Sequence, residues 1–114
     1  MRTVLSVIII GTSVVACGAT FPVPTQRMAD AESAERSARE LGAANQPAAK
    51  LHLSLAQEQI AKAKASVSEG ENRTADLLLV RAKADAELAV SLAREQTART
   101  ELQQAVSAKE GAPQ

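Results

Sequence analysis

Apolar residues recur at steps of three and four on both sides of Glu71. Before it the series is Leu53, Ala56, Ile60, Ala63 and Val67, and after it the series is Ala75, Leu79, Ala82, Ala86 and Ala89. Steps of three and four place residues on one face of an α-helix. Each residue of the first series lies as far before Glu71 as its counterpart lies after it. This mirror relation predicts an antiparallel helical hairpin that turns at Gly70 and Glu71.

Proline and glycine positions set the expected bounds of three helices. The second helix is predicted over about 47–69, beginning at Pro47 and ending before Gly70, and the third over about 72–109, ending before Gly111. Proline is favoured in the first helical turn and glycine directly after the last one. A short preceding helix is predicted over about 27–41, with Gly42 as its left-handed stop. The expected fold class is all-α: a helical hairpin with a short preceding helix.

The third helix is longer than the second, so its last part needs a packing partner. At 1.5 Å per residue the two helices span about 57 and 34 Å, which leaves residues 95–109 beyond the hairpin. The apolar positions of this part are Ala98, Leu102, Ala105 and Val106. We expect the first helix to stack in line with the second and to pack against them. In the alternative, the first helix lies beside the hairpin against Ile60 and Leu79, and the end of the third helix is free or pairs with another copy.

One full turn of the third helix is apolar, which is more surface than one partner helix can cover. Leu77, Leu78 and Val80 surround the core position Leu79, and Leu88 and Leu92 add a second apolar flank. We predict that Leu77, Leu78, Val80, Leu88 and Leu92 form an interaction surface. Ordinary exposed hydrophobic surface is an equally good interpretation of the same pattern.

Composition excludes several classes of function. The chain has 114 residues, with 13 basic and 13 acidic side chains, one Phe, and neither Tyr nor Trp. A nucleic-acid-binding protein is expected to carry a basic stripe with aromatic side chains for stacking, and this chain has neither. We therefore predict no nucleic-acid partner and no small-molecule substrate.

Reactive side chains are not arranged for catalysis in this sequence. His52 is the only histidine, and it has neither cysteine nor paired carboxylates at ligand spacing. Asp76 and Asp85 are nine positions apart and Glu87 lies on another helix face, so no carboxylate pair is specified. The glycines end helices or lie near the N-terminus, which leaves no phosphate-binding loop. We predict no catalytic residue, no metal site and no cofactor, and hence not an enzyme.

The N-terminal residues follow a different pattern from the rest of the chain. Arg2 precedes a mostly apolar run from Val4 to Ala16. As a helix this run is about 20 Å long, too short to cross a hydrocarbon core of about 30 Å. A positive start before such a run is typical of an export signal. Residues 1–16 are therefore predicted to be a signal peptide, and the segment up to Gln26, which contains two prolines, an extended tether.

The apolar run ends in Val14-Val15-Ala16-Cys17, which resembles the lipobox of bacterial lipoproteins. The resemblance implies cleavage between Ala16 and Cys17 and lipidation of Cys17 by acyl chains such as palmitate. Acyl chains anchor a protein by about 0.8 kcal/mol per buried CH₂. Gly18 stands where an aspartate would retain a lipoprotein at the inner membrane, so the resemblance implies the outer membrane, facing the periplasm. An ordinary signal peptide followed by an incidental cysteine is the alternative.

A second resemblance covers about residues 28–100. The matching residues are Pro47, Leu55-Ala56, Ile60, Ala63-Lys64-Ala65, Gly70, Ala75, Leu78 and Ala82-Lys83-Ala84-Asp85-Ala86-Glu87-Leu88-Ala89. They resemble a periplasmic family called domain of unknown function 4398. Members of that family are typically lipoproteins, some with a peptidoglycan-binding domain; here we expect neither that domain nor a terminal lysine for attachment to peptidoglycan. A tetratricopeptide repeat fits the helix pair but not the required aromatic positions.

These patterns together predict one helical domain over residues 27–110, with a disordered tail at 111–114. The expected function is that of a non-enzymatic, membrane-anchored envelope lipoprotein. Its helices would act as a scaffold or as a partner-binding module for an envelope protein in the periplasm. The alternative is a self-associating structural lipoprotein, in which the end of the third helix forms a coiled coil with another copy.

Overall fold

The computed structural model describes residues 20–111. The predicted signal peptide, Cys17 and most of the predicted tail lie outside the described residues. The elements are α1 (Thr25–Glu40), a 3₁₀ turn (Ala43–Asn45), α2 (Pro47–Ser68) and α3 (Asn72–Glu110). Residues 20–111 contain no strand. The prediction of an all-α hairpin with a short preceding helix is confirmed, and the helix bounds agree with the predicted ones to within two residues.

The hairpin forms about the predicted mirror point. All residues of the two apolar series are buried except Val67, which is half-buried. Gly70 has a φ of +79°, and the N–H groups of Gly70 and Glu71 donate to the carbonyls of Val67 and Ser66 at 3.1 and 2.8 Å. This pair of hydrogen bonds is a Schellman motif, which ends α2 and reverses the chain. Most core residues are alanines, so the helix axes can approach closely.

Helix α1 lies beside the hairpin, and the in-line arrangement that we expected is wrong. Ala31 is buried in one cluster with Ile60 and Leu79, and Ala38 is buried in a second cluster with Leu53 and Ala89. Helix α1 therefore runs antiparallel to α2 and parallel to α3. The reason lies in the connection between α1 and α2. Gly42 has a φ of +76°, and the 3₁₀ turn follows at once, so the chain turns back within a few residues.

The end of α3 extends beyond this three-helix bundle. Every residue from 94 to 110 is exposed, including the apolar ones that were expected to pack against α1. Those residues face away from the bundle. The last buried residue of α3 is Ala93. Beyond it, the same side of the helix carries the exposed polar residues Thr97, Thr100, Gln104 and Ser107. At about 100° per residue, Ala98, Leu102 and Val106 lie on the opposite side of the helix from these polar residues. A first helix stacked in line with α2 could therefore not have packed against these three apolar residues.

Candidate interaction surface

Helix α3 carries apolar residues on two opposite faces. The inner face is fully buried and consists of Ala75, Leu79, Ala82, Ala86, Ala89 and Ala93. Rotation by about 100° per residue places a second series on the opposite face. That series, called the outer stripe below, is Leu77, Val80, Ala84, Leu88, Ser91, Glu95, Ala98, Leu102 and Val106. All nine residues are exposed, and the exposed fraction reaches 57% at Leu77 and 66% at Leu102.

Contacts on either side of α3 explain why the outer stripe is uncovered. Asp76 forms an ion pair with Arg27 of α1. Asp85, on the other side of α3, is held by His52 and Gln59 of α2. The two aspartates lie about 180° apart around the helix axis, and the outer stripe lies between them on the side away from the core. Helices α1 and α2 therefore occupy two sides of α3 and leave the third open.

The structure divides the predicted interaction surface into two parts. Leu77, Val80 and Leu88 lie on the outer stripe. Leu78 and Leu92 are half-buried and pack against the two core clusters. What the sequence prediction missed is the length of the stripe, which continues to Val106. The signal was present, because steps of three and four lead from Leu77 through Leu88 and Ala98 to Leu102 and Val106.

Charged side chains beside the outer stripe differ in whether they have ion-pair partners. Glu95 pairs with Arg99 at 2.5 Å, and Glu87 pairs with Lys83 at 3.8 Å. Three further basic side chains lie within about 60° of the centre of the stripe. They are Arg73, Arg81 and Lys109, and none of them forms an ion pair within residues 20–111. The stripe is thus mostly apolar, with Ser91 and Glu95 near its middle. Unpaired positive charge lies beyond its two ends, at Arg73 and Lys109, and beside it at Arg81.

The single histidine takes part in a hydrogen-bonded contact between α2 and α3. His52 Nδ1 lies 2.9 Å from Asp85 Oδ1, and Gln59 Nε2 donates to Asp85 Oδ2 at 2.8 Å. All three residues are half-buried. Asp85 orients the imidazole of His52, as a carboxylate does in a catalytic triad. However, this network contains no serine, cysteine or threonine that could act as a nucleophile. Within residues 20–111, no three His, Cys, Asp or Glu side chains are grouped closely enough to hold a metal ion.

A second polar cluster joins α1 to α2. Glu35 Oε1 accepts hydrogen bonds from Arg39 and from Gln57, the latter at 2.7 Å, and Glu32 pairs with Lys64 at 2.7 Å. Partial burial raises the pKa of Glu35, but the hydrogen bonds from Gln57 and Arg39 and the nearby positive charges outweigh it. The pKa of Glu35 therefore lies below its ordinary value of 4.5. Stabilisation from this carboxylate depends on its being ionised.

The segment before α1 is attached to the turn of the hairpin. The side chain of Asn72 donates a 2.8 Å hydrogen bond to the backbone carbonyl of Phe21. Glu71 occupies the N-cap position of α3, and Asn72 is the first helical residue. Pro24 is buried, whereas Phe21 and Val23 are exposed. The chain therefore enters the bundle at the end where α2 turns into α3.

None of the helices among the described residues combines the length and the apolar character needed to cross a bilayer. A family model described as domain of unknown function (DUF4398) matches residues 26–105. No curated protein matches the chain, and no solved structure matches it. The family match covers α1, the 3₁₀ turn, α2 and most of α3, and thus includes the outer stripe as far as Leu102.

Proposed function

The chain belongs to the DUF4398 family, and we propose that it is a non-enzymatic envelope lipoprotein whose helical body is held at a membrane by acyl chains on Cys17. The observation that carries this proposal is the sequence Val14-Val15-Ala16-Cys17 after a short apolar run with a positive start. Lipid on Cys17 also accounts for an exported cysteine that has no partner cysteine in the chain.

The way the chain enters the bundle supports this role. Phe21 follows Cys17 by four residues, which span at most about 14 Å when extended. The carbonyl of Phe21 accepts a hydrogen bond from the side chain of Asn72. An anchor on Cys17 would therefore hold the turn of the hairpin close to the membrane surface. In this role the three helices form a rigid scaffold at the membrane, and the side chains of α1 and α2 that face solvent are available to an envelope protein.

Fractionation of cells tests the anchor. The native chain is expected in the membrane fraction, and the variant Cys17→Ser, which lacks the thiol that is acylated, is expected to lose the lipid-dependent association. Ser13→Ala is a matched control, because it changes the apolar run and leaves Cys17 in place. Unchanged detergent-phase partitioning of purified Cys17→Ser would contradict the proposal.

The outer-membrane location has a test of its own. By its resemblance to lipoproteins, Gly18 permits transport to the outer membrane. Gly18→Asp is expected to move the protein to the inner-membrane fraction, while Gly18→Ser leaves it in the outer-membrane fraction. An identical distribution of both variants would contradict the outer-membrane assignment while leaving the anchor itself in place.

A second candidate function is self-association through the end of α3. It is favoured by the exposure of Leu102 and Val106, which have no covering element within residues 20–111. Sedimentation equilibrium of the full chain, extracted in detergent, distinguishes the two candidates. A monomer at all concentrations would contradict self-association, and a concentration-dependent dimer would support it.

A further inference from the structure

We propose that the outer stripe of α3 lies flat on an anionic phospholipid surface, so that the bundle rests on the membrane along its longest helix. This inference rests on the proposed function in one respect only, namely that an anchor on Cys17 brings α3 to the membrane. The outer stripe and its flanking charges are features of the described residues.

The shape of the stripe fits a membrane surface. From Leu77 to Val106 it follows one uninterrupted helix for about 44 Å. A helix that lies in the membrane interface buries one apolar face by about 5–10 Å and keeps its other faces away from the acyl chains. In this protein the opposite face of α3 is packed against α1 and α2, so the bundle itself replaces the polar face of an ordinary interfacial helix.

The unpaired cations favour an anionic lipid over a protein partner. Arg73 and Lys109 lie beyond the two ends of the stripe, and Arg81 lies beside it; none of the three has an ion-pair partner within residues 20–111. Long basic side chains extend along an apolar surface and place their charged ends among lipid phosphates. The three cations are spread over the whole length of α3, from its first turn to its last, and a continuous sheet of phosphate groups reaches all of them.

The centre of the stripe argues against a second copy as its partner. Ser91 and Glu95 interrupt the apolar residues midway, and Glu95 is bonded to Arg99. In a helix pair these charges would be desolvated within the contact, which is unfavourable even for a paired carboxylate. At a lipid surface Arg99, which lies about 60° from the centre of the stripe, can draw the carboxylate of Glu95 sideways toward the hydrated headgroup layer.

The anchored end of the chain lies at the first turn of α3, where the outer stripe begins. The hydrogen bond from Asn72 to the carbonyl of Phe21 places that residue beside the first turn of α3. Phe21 and Val23 are exposed there. Aromatic and apolar side chains near the anchor would add to the interfacial contact, and the anchor would prevent α3 from leaving the surface.

A single introduced tryptophan tests the contact, because the chain contains none of its own. Lipidated full chain with Leu102→Trp is reconstituted on vesicles of phosphatidylglycerol and phosphatidylcholine that carry brominated acyl chains. Gln104→Trp, an exposed position on the opposite side of α3, is the matched control. We expect quenching of about half the fluorescence of Leu102→Trp and little quenching of Gln104→Trp, since only the first lies at the acyl boundary. Equal fluorescence loss at both positions would overturn the proposal.

Charge reversal provides the second arm of the test. Arg73→Glu/Arg81→Glu is expected to abolish quenching of Leu102→Trp, while Arg36→Glu/Lys50→Glu, which changes the net charge equally on α1 and α2, leaves it intact. Vesicles of phosphatidylcholine alone are expected to give at most about one third of the quenching. This lipid has no net charge, so it attracts the three cations less strongly.

The outcomes separate this inference from the proposed function. Vesicles that retain the protein without quenching of Leu102→Trp overturn the lipid contact and leave the anchor standing. Vesicles that do not retain the native chain overturn the anchor. A spectral shift of Leu102→Trp that follows protein concentration without lipid assigns the stripe to a second copy, and also overturns the inference.

Discussion

His52 Nδ1 lies 2.9 Å from Asp85 Oδ1, across the interface of two helices whose other contacts are almost all apolar. The two residues are 33 positions apart. His52 belongs to α2, and Asp85 lies on the side of α3 that faces α2. With Gln59, which donates to the other carboxylate oxygen, they fix the register of α2 against α3. An interface built of alanines has little shape to prevent sliding, and a directional polar contact can supply what small side chains lack.

A double-mutant cycle measures this contact. The variants His52→Ala, Asp85→Ala and their combination are compared by urea unfolding followed by circular dichroism. We expect a coupling energy of about 0.5–1 kcal/mol, since the pair is half-buried and hydrogen-bonded. Fully additive effects of the two substitutions would show that the contact does not contribute to stability.

Among residues 20–111, Leu79 is the one large side chain that is completely buried. Leu79→Ala is expected to destabilise the bundle by about 3 kcal/mol, because the removed atoms leave a cavity between three helices. Its neighbour Leu77, which is 57% exposed, is the control. Leu77→Ala should change the free energy of unfolding by less than about 0.5 kcal/mol. Comparable losses in both variants would contradict the assignment of the two faces of α3.

Gly70 closes the hairpin with a left-handed backbone. Its φ is +79°, and a Cβ atom at this position would meet nothing within 4 Å. Any effect of Gly70→Ala is therefore conformational, and we expect a loss of about 1 kcal/mol in the free energy of unfolding. Gly111→Ala is the matched control, because Gly111 has a φ of −86°. Its substitution should be nearly neutral, and an equal effect at both sites would argue against the turn geometry.

Glu35 makes stability depend on pH. Its pKa is lowered on folding, so it stabilises the folded state above its unfolded pKa of about 4.5, and that stabilisation is lost as the pH falls through the lower folded pKa. Between about pH 5 and pH 3, Glu35→Gln is expected to lose less stability than the native chain. The difference corresponds to the binding of about one proton. Glu40→Gln, at an exposed position with no ion pair within residues 20–111, serves as control. Parallel pH profiles for the native chain and Glu35→Gln would refute this role.

The hairpin could be predicted from the sequence because its signal is local and redundant. Each residue of the apolar series before Glu71 has an apolar counterpart at equal distance after it, and Gly70 marks the turn. The position of α1 could not be predicted in the same way. It depends on how Gly42 and the 3₁₀ turn redirect the chain, and alanines such as Ala31 and Ala38 fit equally well against many partners.

The candidate surface was only half visible in the sequence. The apolar pattern of α3 identified Leu77, Val80 and Leu88, but it also included Leu78 and Leu92, which are half-buried against the core clusters. To assign each of these residues to the exposed surface or to the core, one must know on which sides of α3 the helices α1 and α2 pack. Once Asp76 and Asp85 mark those two directions, the remaining side of the helix defines the outer stripe.

Intact mass spectrometry of the protein purified from membranes tests the proposal that the helical body is lipid-anchored and begins at Cys17. We expect a chain that begins at Cys17 and carries the additional mass of a diacylglyceryl group, with or without an N-acyl chain. A chain that begins elsewhere, or one in which Cys17 has the mass of an unmodified cysteine, would contradict it.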